Sequence, residues 1–199
     1  MRAGLLLLAL GACSPDIATG AYLCGPEQGC PDGQVCNGAD NTCVIPASAM
    51  AFACDPAAET HEPDQDAAHA ASLGTLDCAN ATIVVTGCLA AGDGADWIAF
   101  VMRPECTTGS ISAQVSSALA FEPVTIDLFD AAGTTKVASA DATCPSTASP
   151  DTTGEYAACL AHPLTPGTSY TLRVAPTGDA TCGGACAFNR YRLTVLGAR

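Results

Sequence analysis

The sequence predicts an all-β protein: a disulfide-stapled, antiparallel, jelly-roll-like β-sandwich preceded by a small cysteine-rich module. Three observations carry that expectation. Residues 77–199 hold about eight short apolar runs with period-two alternation, separated by Gly, Pro, Asp and Thr turns, and no stretch has a helical period of comparable strength. The chain has 13 cysteines in 199 residues. With Cys13 set apart, the remainder is an even set, as expected for disulfides in an oxidising compartment. Finally, Cys24, Cys30, Cys36 and Cys43 crowd into a stretch too short to bury a core, so covalent staples must hold it.

The N-terminus reads as an address. Met1-Arg2 supplies a positive start, Leu5 to Leu10 an apolar run, and Gly11-Ala12 a small-residue cleavage site, so residues 1–12 are expected to be a signal peptide. The run is far shorter than the roughly 20 residues a spanning helix needs. Leu10-Gly11-Ala12-Cys13 resembles the lipobox of bacterial lipoproteins. That resemblance implies thioether lipidation of Cys13, cleavage before it, and further acylation, palmitate among the chains. More than one chain is required for stable anchoring. The competing reading is an ordinary signal peptide in which Cys13 is incidental. Ser14 follows the cysteine, which by the sorting rule of enteric lipoproteins resembles an outer-membrane address.

Residues 13–22 then form a lipidated tether, 23–45 the disulfide-rich module and 46–76 a linker. Pro31-Asp32-Gly33 and Asn37-Gly38 are turn sequences within the module. Of its three possible pairings, the interlaced one, Cys24–Cys36 with Cys30–Cys43, is expected. Asp32, Asp40 and Asn41 suit turns better than a calcium loop, because their spacing fails the EF-hand pattern. The linker is rich in Ala, Asp, Glu, His and Pro. His61, Glu62, Asp64, Asp66 and His69 make it a weak candidate metal segment, although Pro63 breaks helical pairing and a solvated linker is the preferred reading.

Across residues 77–199 the strands are expected at Ile83–Val85, Trp97–Val101, Ile111–Val115, Val124–Leu128, Lys136–Val137, Tyr156–Leu160, Tyr170–Val174 and Tyr191–Val195. Ala131-Ala132-Gly133 and Pro166-Gly167 read as turns, the latter of type II with Gly at positive φ. Trp97 and Phe100 fall on opposite faces of one strand, and Trp97 is expected in the core rather than as a ligand-stacking platform. Asp93 and Asp96 are expected to cap a turn, with calcium binding the lesser reading. Asn80-Ala81-Thr82 matches a glycosylation sequon by chance.

Four stretches, Asp96–Phe100, Val124–Gly133, Leu164–Val174 and Tyr191–Val195, resemble in order the bacterial pre-peptidase C-terminal domain, a small β-sandwich of secreted proteins. The module and tether are similar to N-terminal regions of predicted lipoproteins of myxobacteria. The chain departs from the sandwich family in its extra cysteines and in the long segment 140–163. The resemblance implies an accessory or binding domain with no catalytic residues.

The other cysteines are Cys54, Cys78, Cys88, Cys106, Cys144, Cys159, Cys182 and Cys186. Cys144–Cys159 and Cys182–Cys186 are the local pairs expected. Zinc would need tight CxxC pairs, which are absent. The histidines are His61, His69 and His162, and no G-x-S-x-G or H-E-x-x-H motif occurs, so neither catalysis nor a cofactor is expected. A net charge of −13 argues against nucleic-acid partners. The expectation is a non-catalytic lipoprotein of the bacterial cell envelope. Its anchor contacts membrane lipid, and its sandwich binds an envelope polysaccharide or protein. The alternatives are a structural spacer or coat without a ligand, and a metal-binding protein using the His61–His69 segment.

Overall fold

A computed structural model describes residues 17–55, 62–79, 81–140, 144, 154–178 and 187–198. The signal peptide, Cys13, His61, Asn80, Cys182 and Cys186 lie outside the described residues. The strands are β1 (Val35–Cys36), β2 (Cys43–Val44), β3 (Ala71–Leu76), β4 (Thr82–Leu89), β5 (Asp96–Met102), β6 (Gly109–Ala118), β7 (Val124–Asp130), β8 (Lys136–Ser139), β9 (Glu155–Leu164), β10 (Ser169–Pro176) and β11 (Asn189–Ala198). A five-stranded sheet, β3-β5-β10-β7-β8, packs on a four-stranded sheet, β4-β11-β6-β9, and β1-β2 form a small ribbon in the module. The protein is an all-β, multi-sheet fold stapled by disulfides.

Alternation builds the core. In β6 and β11 every second residue is buried, and in β5 the inward set is Asp96, Ile98, Phe100 and Met102. Ile98, Ile126, Leu128, Leu172, Leu193 and Val195 are almost wholly buried between the sheets. Each such aliphatic side chain contributes roughly 1.5–3 kcal/mol by leaving water. Large rings are few; Phe100 and Tyr170 stack at 5.9 Å, and the Tyr170 hydroxyl accepts the Thr165 N–H at 3.0 Å. Gly167 takes φ 73° in the turn before β10, a backbone shape that glycine adopts at little cost.

Two expectations are corrected. Residues 71–76, placed in the linker, form β3, and β3 runs parallel to β5 in an otherwise antiparallel sheet. Its alternation is unreadable because the register shifts between Ser72 and Gly74, with Gly74 at φ 73°. A bulge of this kind breaks the period of two. Trp97, expected in the core, is half-buried on the outer face of β5, while Phe100 is 2% exposed inside. Trp97 packs there on the Phe129 ring at 5.0 Å, and the Arg173 guanidinium sits 6.0 Å from its centroid. Ile98, Phe100 and Met102 share the inward face of β5 with Asp96, so Trp97 falls on the other.

The module packs onto the sandwich. Cys24 bonds Cys36 and Cys30 bonds Cys43, the interlaced pairing. Cys24 and Cys43 then share a small core with Ala120 and Phe121 from the turn after β6, and Phe52 meets Phe121 edge-on at 5.4 Å. The Arg190 guanidinium of β11 donates to the carbonyls of Ala39 (2.7 Å) and Gly38. Gly38 has no room for a side chain, because a Cβ would lie 2.3 Å from Ala51 backbone. Cys54–Cys88 ties the segment after the module to β4, Cys78–Cys106 joins the two chain stretches flanking β4 and β5, and Cys144–Cys159 clips onto β9. The five disulfides among the described residues suit an oxidising compartment outside the cytoplasm.

Cys54 and Cys88 are 34 residues apart, so their bond removes substantial entropy from the unfolded chain. Replacing both by serine is expected to lower the unfolding free energy by roughly 3–4 kcal/mol in guanidinium titration. An unchanged midpoint would show that the bond is dispensable.

Candidate functional site

An aspartate is an unlikely choice for the inward face of a strand, since burying a carboxylate without partners is costly. Asp96 is nevertheless 2% exposed at the start of β5. Its Oδ2 accepts the Tyr191 hydroxyl at 2.6 Å, a buried bond from β11 that joins the two sheets. Tyr191 lies opposite Gly87 in the β11–β4 register, and a Cβ on Gly87 would fall 2.3 Å from the tyrosine oxygen. Glycine at 87 is therefore what lets the ring cross β4 and reach Asp96.

Other carboxylates converge on this point. Glu62, Asp93 and Asp96 bring one oxygen each within 4.8 Å of one another. Asp93 holds its turn by accepting the Ala90 N–H at 2.8 Å. Asp64, 5% exposed, docks through its carbonyl, which accepts the Trp97 N–H at 2.8 Å. Its buried Oδ1 has no hydrogen-bond partner among the described residues. Glu62, Asp64, Asp96, Gly87 and Tyr191 line one cavity of about 10 Å³, room for a single ion or water.

Burial, with the charges of Glu62 and Asp93 adding to it, pushes the Asp64 carboxyl from 3.8 up to about 7. Because the folded value exceeds the unfolded one, the protonated group favours the fold. That contribution is complete below about pH 4 and is lost as pH rises through 7. A bound cation acts in the opposite sense, since it favours the deprotonated carboxylates and competes with their protons. Glu62, Asp93 and Asp96 form an oxygen-only donor set beside Asp64, which suits a hard cation such as Ca²⁺ rather than zinc.

The structure divides the metal segment read from the sequence. Glu62 and Asp64 turn to the sandwich. Asp66 and His69 stay on an exposed turn, where Asp66 Oδ1 accepts the Ala68 and His69 N–H groups and meets His69 Nδ1 at 2.9 Å. The hydrogen bond to the His69 ring holds the Asp66 carboxyl below its ordinary value. In the module, Asp40 accepts the Thr42 hydroxyl at 2.7 Å and backbone N–H at 3.1 Å, which is turn chemistry. The cysteine clusters around Cys24 and Cys78 are oxidised and offer no thiolates to a metal. Sequence reasoning missed Tyr191 and Gly87 and did not join residues 62–64 to 93–96. The one available signal was an aspartate immediately before an apolar run.

No protein-family model matches the chain, and no curated protein matches its sequence. Among solved structures, the chain is similar to the pre-peptidase C-terminal domain of collagenase from Bacillus anthracis, at 19% identity and TM-score 0.41, covering 63% of this chain and 95% of that one. It is also similar to a mutant of a periplasmic inhibitor of g-type lysozyme from Escherichia coli, at 17% identity and TM-score 0.32, covering 62% and 97%.

Tyr191→Phe deletes the buried donor to Asp96 while keeping the ring. It is expected to cost roughly 1.5–3 kcal/mol in urea denaturation, the range for a hydrogen bond to a charged group. A loss of only a few tenths would remove the pair from its structural role.

Proposed function

We propose that this protein is an exported lipoprotein of the bacterial cell envelope, of the kind the myxobacterial resemblance points to. It is held through lipid on Cys13, and its β-sandwich serves as a non-catalytic binding domain. The observation that carries this reading is a disulfide-stapled chain that follows an apolar leader ending in Leu10-Gly11-Ala12-Cys13. Ile17, whose carbonyl accepts the Gln34 side-chain amide of the module at 2.9 Å, stands four positions after Cys13, so the anchor would hold this point within about 14 Å of the lipidated residue. The expected partner is an envelope polysaccharide or protein, and the expected location is the outer membrane. Mass spectrometry of the intact protein extracted from its native membrane tests this. The expected result is a chain starting at Cys13 with added acyl groups. A free N-terminus elsewhere, without acyl mass, overturns the anchor.

A second reading is favoured by the unpartnered Asp64 oxygen. In it, Glu62, Asp64, Asp93 and Asp96 hold a divalent cation, most suitably Ca²⁺, that clamps residues 62–64 to the sandwich. The cation would supply positive charge at a point where four carboxylates otherwise repel. Thermal melts test it. Metal-free protein is expected to lose several degrees of Tm between about pH 5 and 8, from deprotonation of Asp64. Ca²⁺ at saturating concentration is expected to restore them at the upper pH. Asp64→Asn is expected to abolish both effects. Identical melts in Ca²⁺ and in chelator exclude the clamp.

A further inference from the structure

A second recess, of about 300 Å³, opens where the module meets the β6–β7 connection and β9. It is lined by Pro26, Glu27, Phe121, Glu122, Pro123 and Tyr156. Its volume is at the lower end of the range for pockets that take ligand-sized groups. The module wall is built in an unusual way. Glu27 (φ 55°, ψ 32°) and Gln28 (φ 61°) are consecutive non-glycine residues in the left-handed region. Side chains seldom adopt that region, and two in succession persist only where the surroundings hold them. Here the Gln28 N–H donates to the Ala120 carbonyl at 3.0 Å, Gly29 N–H to Pro26 at 3.1 Å, and Cys30 is bonded to Cys43. The result is an exposed Glu27 whose backbone is held at the rim.

The opposite wall is equally constrained. Glu122 is half-buried, its carbonyl accepts the Asn189 amide at 2.7 Å, and its carboxylate lies over Gly178, where a Cβ would overlap it. Tyr156 contributes a half-buried ring from the edge strand β9. The recess therefore joins two glutamates, two aromatic residues and two prolines. Carboxylates are donors' partners, not donors, so anionic ligands are disfavoured. The chain's charge of −13 draws basic partners over longer range.

We propose that this recess receives an arginine or lysine side chain from a basic segment of a protein partner. The aliphatic stem lies along Pro26 and Pro123, the Tyr156 ring meets the cation, and Glu27 and Glu122 accept its N–H groups. The proposal deepens the binding-domain reading by naming the partner's chemistry. The lipid anchor is read separately by mass, so the two can fail independently.

The test uses the full chain in detergent and fluorescent nonapeptides that differ only at the central residue: arginine, lysine, citrulline or glutamate. By anisotropy the arginine and lysine peptides are expected to bind roughly ten-fold or more tightly than citrulline, and to weaken as salt rises. The Glu27→Gln, Glu122→Gln double variant is expected to erase that preference with an unchanged melting temperature. Tyr156→Phe should retain binding and Tyr156→Ala reduce it. The proposal is overturned if no peptide binds, if citrulline matches arginine, or if the preference survives in the double variant.

Discussion

The buried hydrogen bond from Tyr191 to Asp96 organises the molecule. It links β11 in one sheet to β5 in the other, and it requires Asp96 to face inward. With Asp96 inside, the parity of β5 is settled: Ile98, Phe100 and Met102 enter the core and Trp97 turns out. The bond also requires Gly87, because any side chain there would meet the tyrosine oxygen. Burying a polar group at this depth is costly unless it finds partners, and Asp96 Oδ2 accepts the Tyr191 hydroxyl at 2.6 Å. The carboxylates of Glu62, Asp64 and Asp93 assemble beside this fixed point.

Trp97 on the outer face has a structural use. Its backbone N–H holds Asp64, and a Cβ on Gly133 would touch both Ala67 and the Trp97 ring. The segment expected to be a solvated linker is thus laid against the sheet, and β3 continues it as an edge strand. Beside Trp97, Asp127 pairs with Lys136 at 3.0 Å and lies 3.9 Å from Arg173, while Lys136 and Arg173 also sit over Phe129 and Trp97. These cations are engaged locally, which leaves the acidic character of the remaining surface to dominate encounters with partners.

The disulfides make this arrangement possible in a chain with little aromatic mass. Aromatics are 5% of residues, so the small module could not hold itself by apolar burial. Interlaced staples shape it, and Phe52, Phe121 and Arg190 fix it to the sandwich. Because module and sandwich are joined by packing as well as by chain, the recess between them has two rigid walls. Rigid walls matter for recognition, since groups that are already in place lose little entropy when a ligand arrives.

Much of the fold was legible because alternation and turn chemistry are local. The eight strands read between Ile83 and Val195 correspond to β4–β11, and the Pro166-Gly167 turn takes the positive φ its glycine permits. The module's four cysteines left three pairings open, and the interlaced one expected is the one that forms. β3 was hidden because the bulge at Gly74 interrupts its period. Cys54–Cys88 and Cys78–Cys106 were left open because their spacing carries no geometric preference. The candidate site was legible only in pieces: Glu62, Asp64, Asp93 and Asp96 each drew notice, but nothing local joins residues 29 or more positions apart. What the sequence determined by itself was the all-β class, the cysteine-stapled character and the acidic balance, since these follow from composition and near-neighbour periodicity. Which face of β5 is buried, which carboxylates meet, and which walls enclose the recess were decided only by the tertiary structure. Those outcomes depend on contacts between strands far apart in the chain, whose free energies no local pattern records.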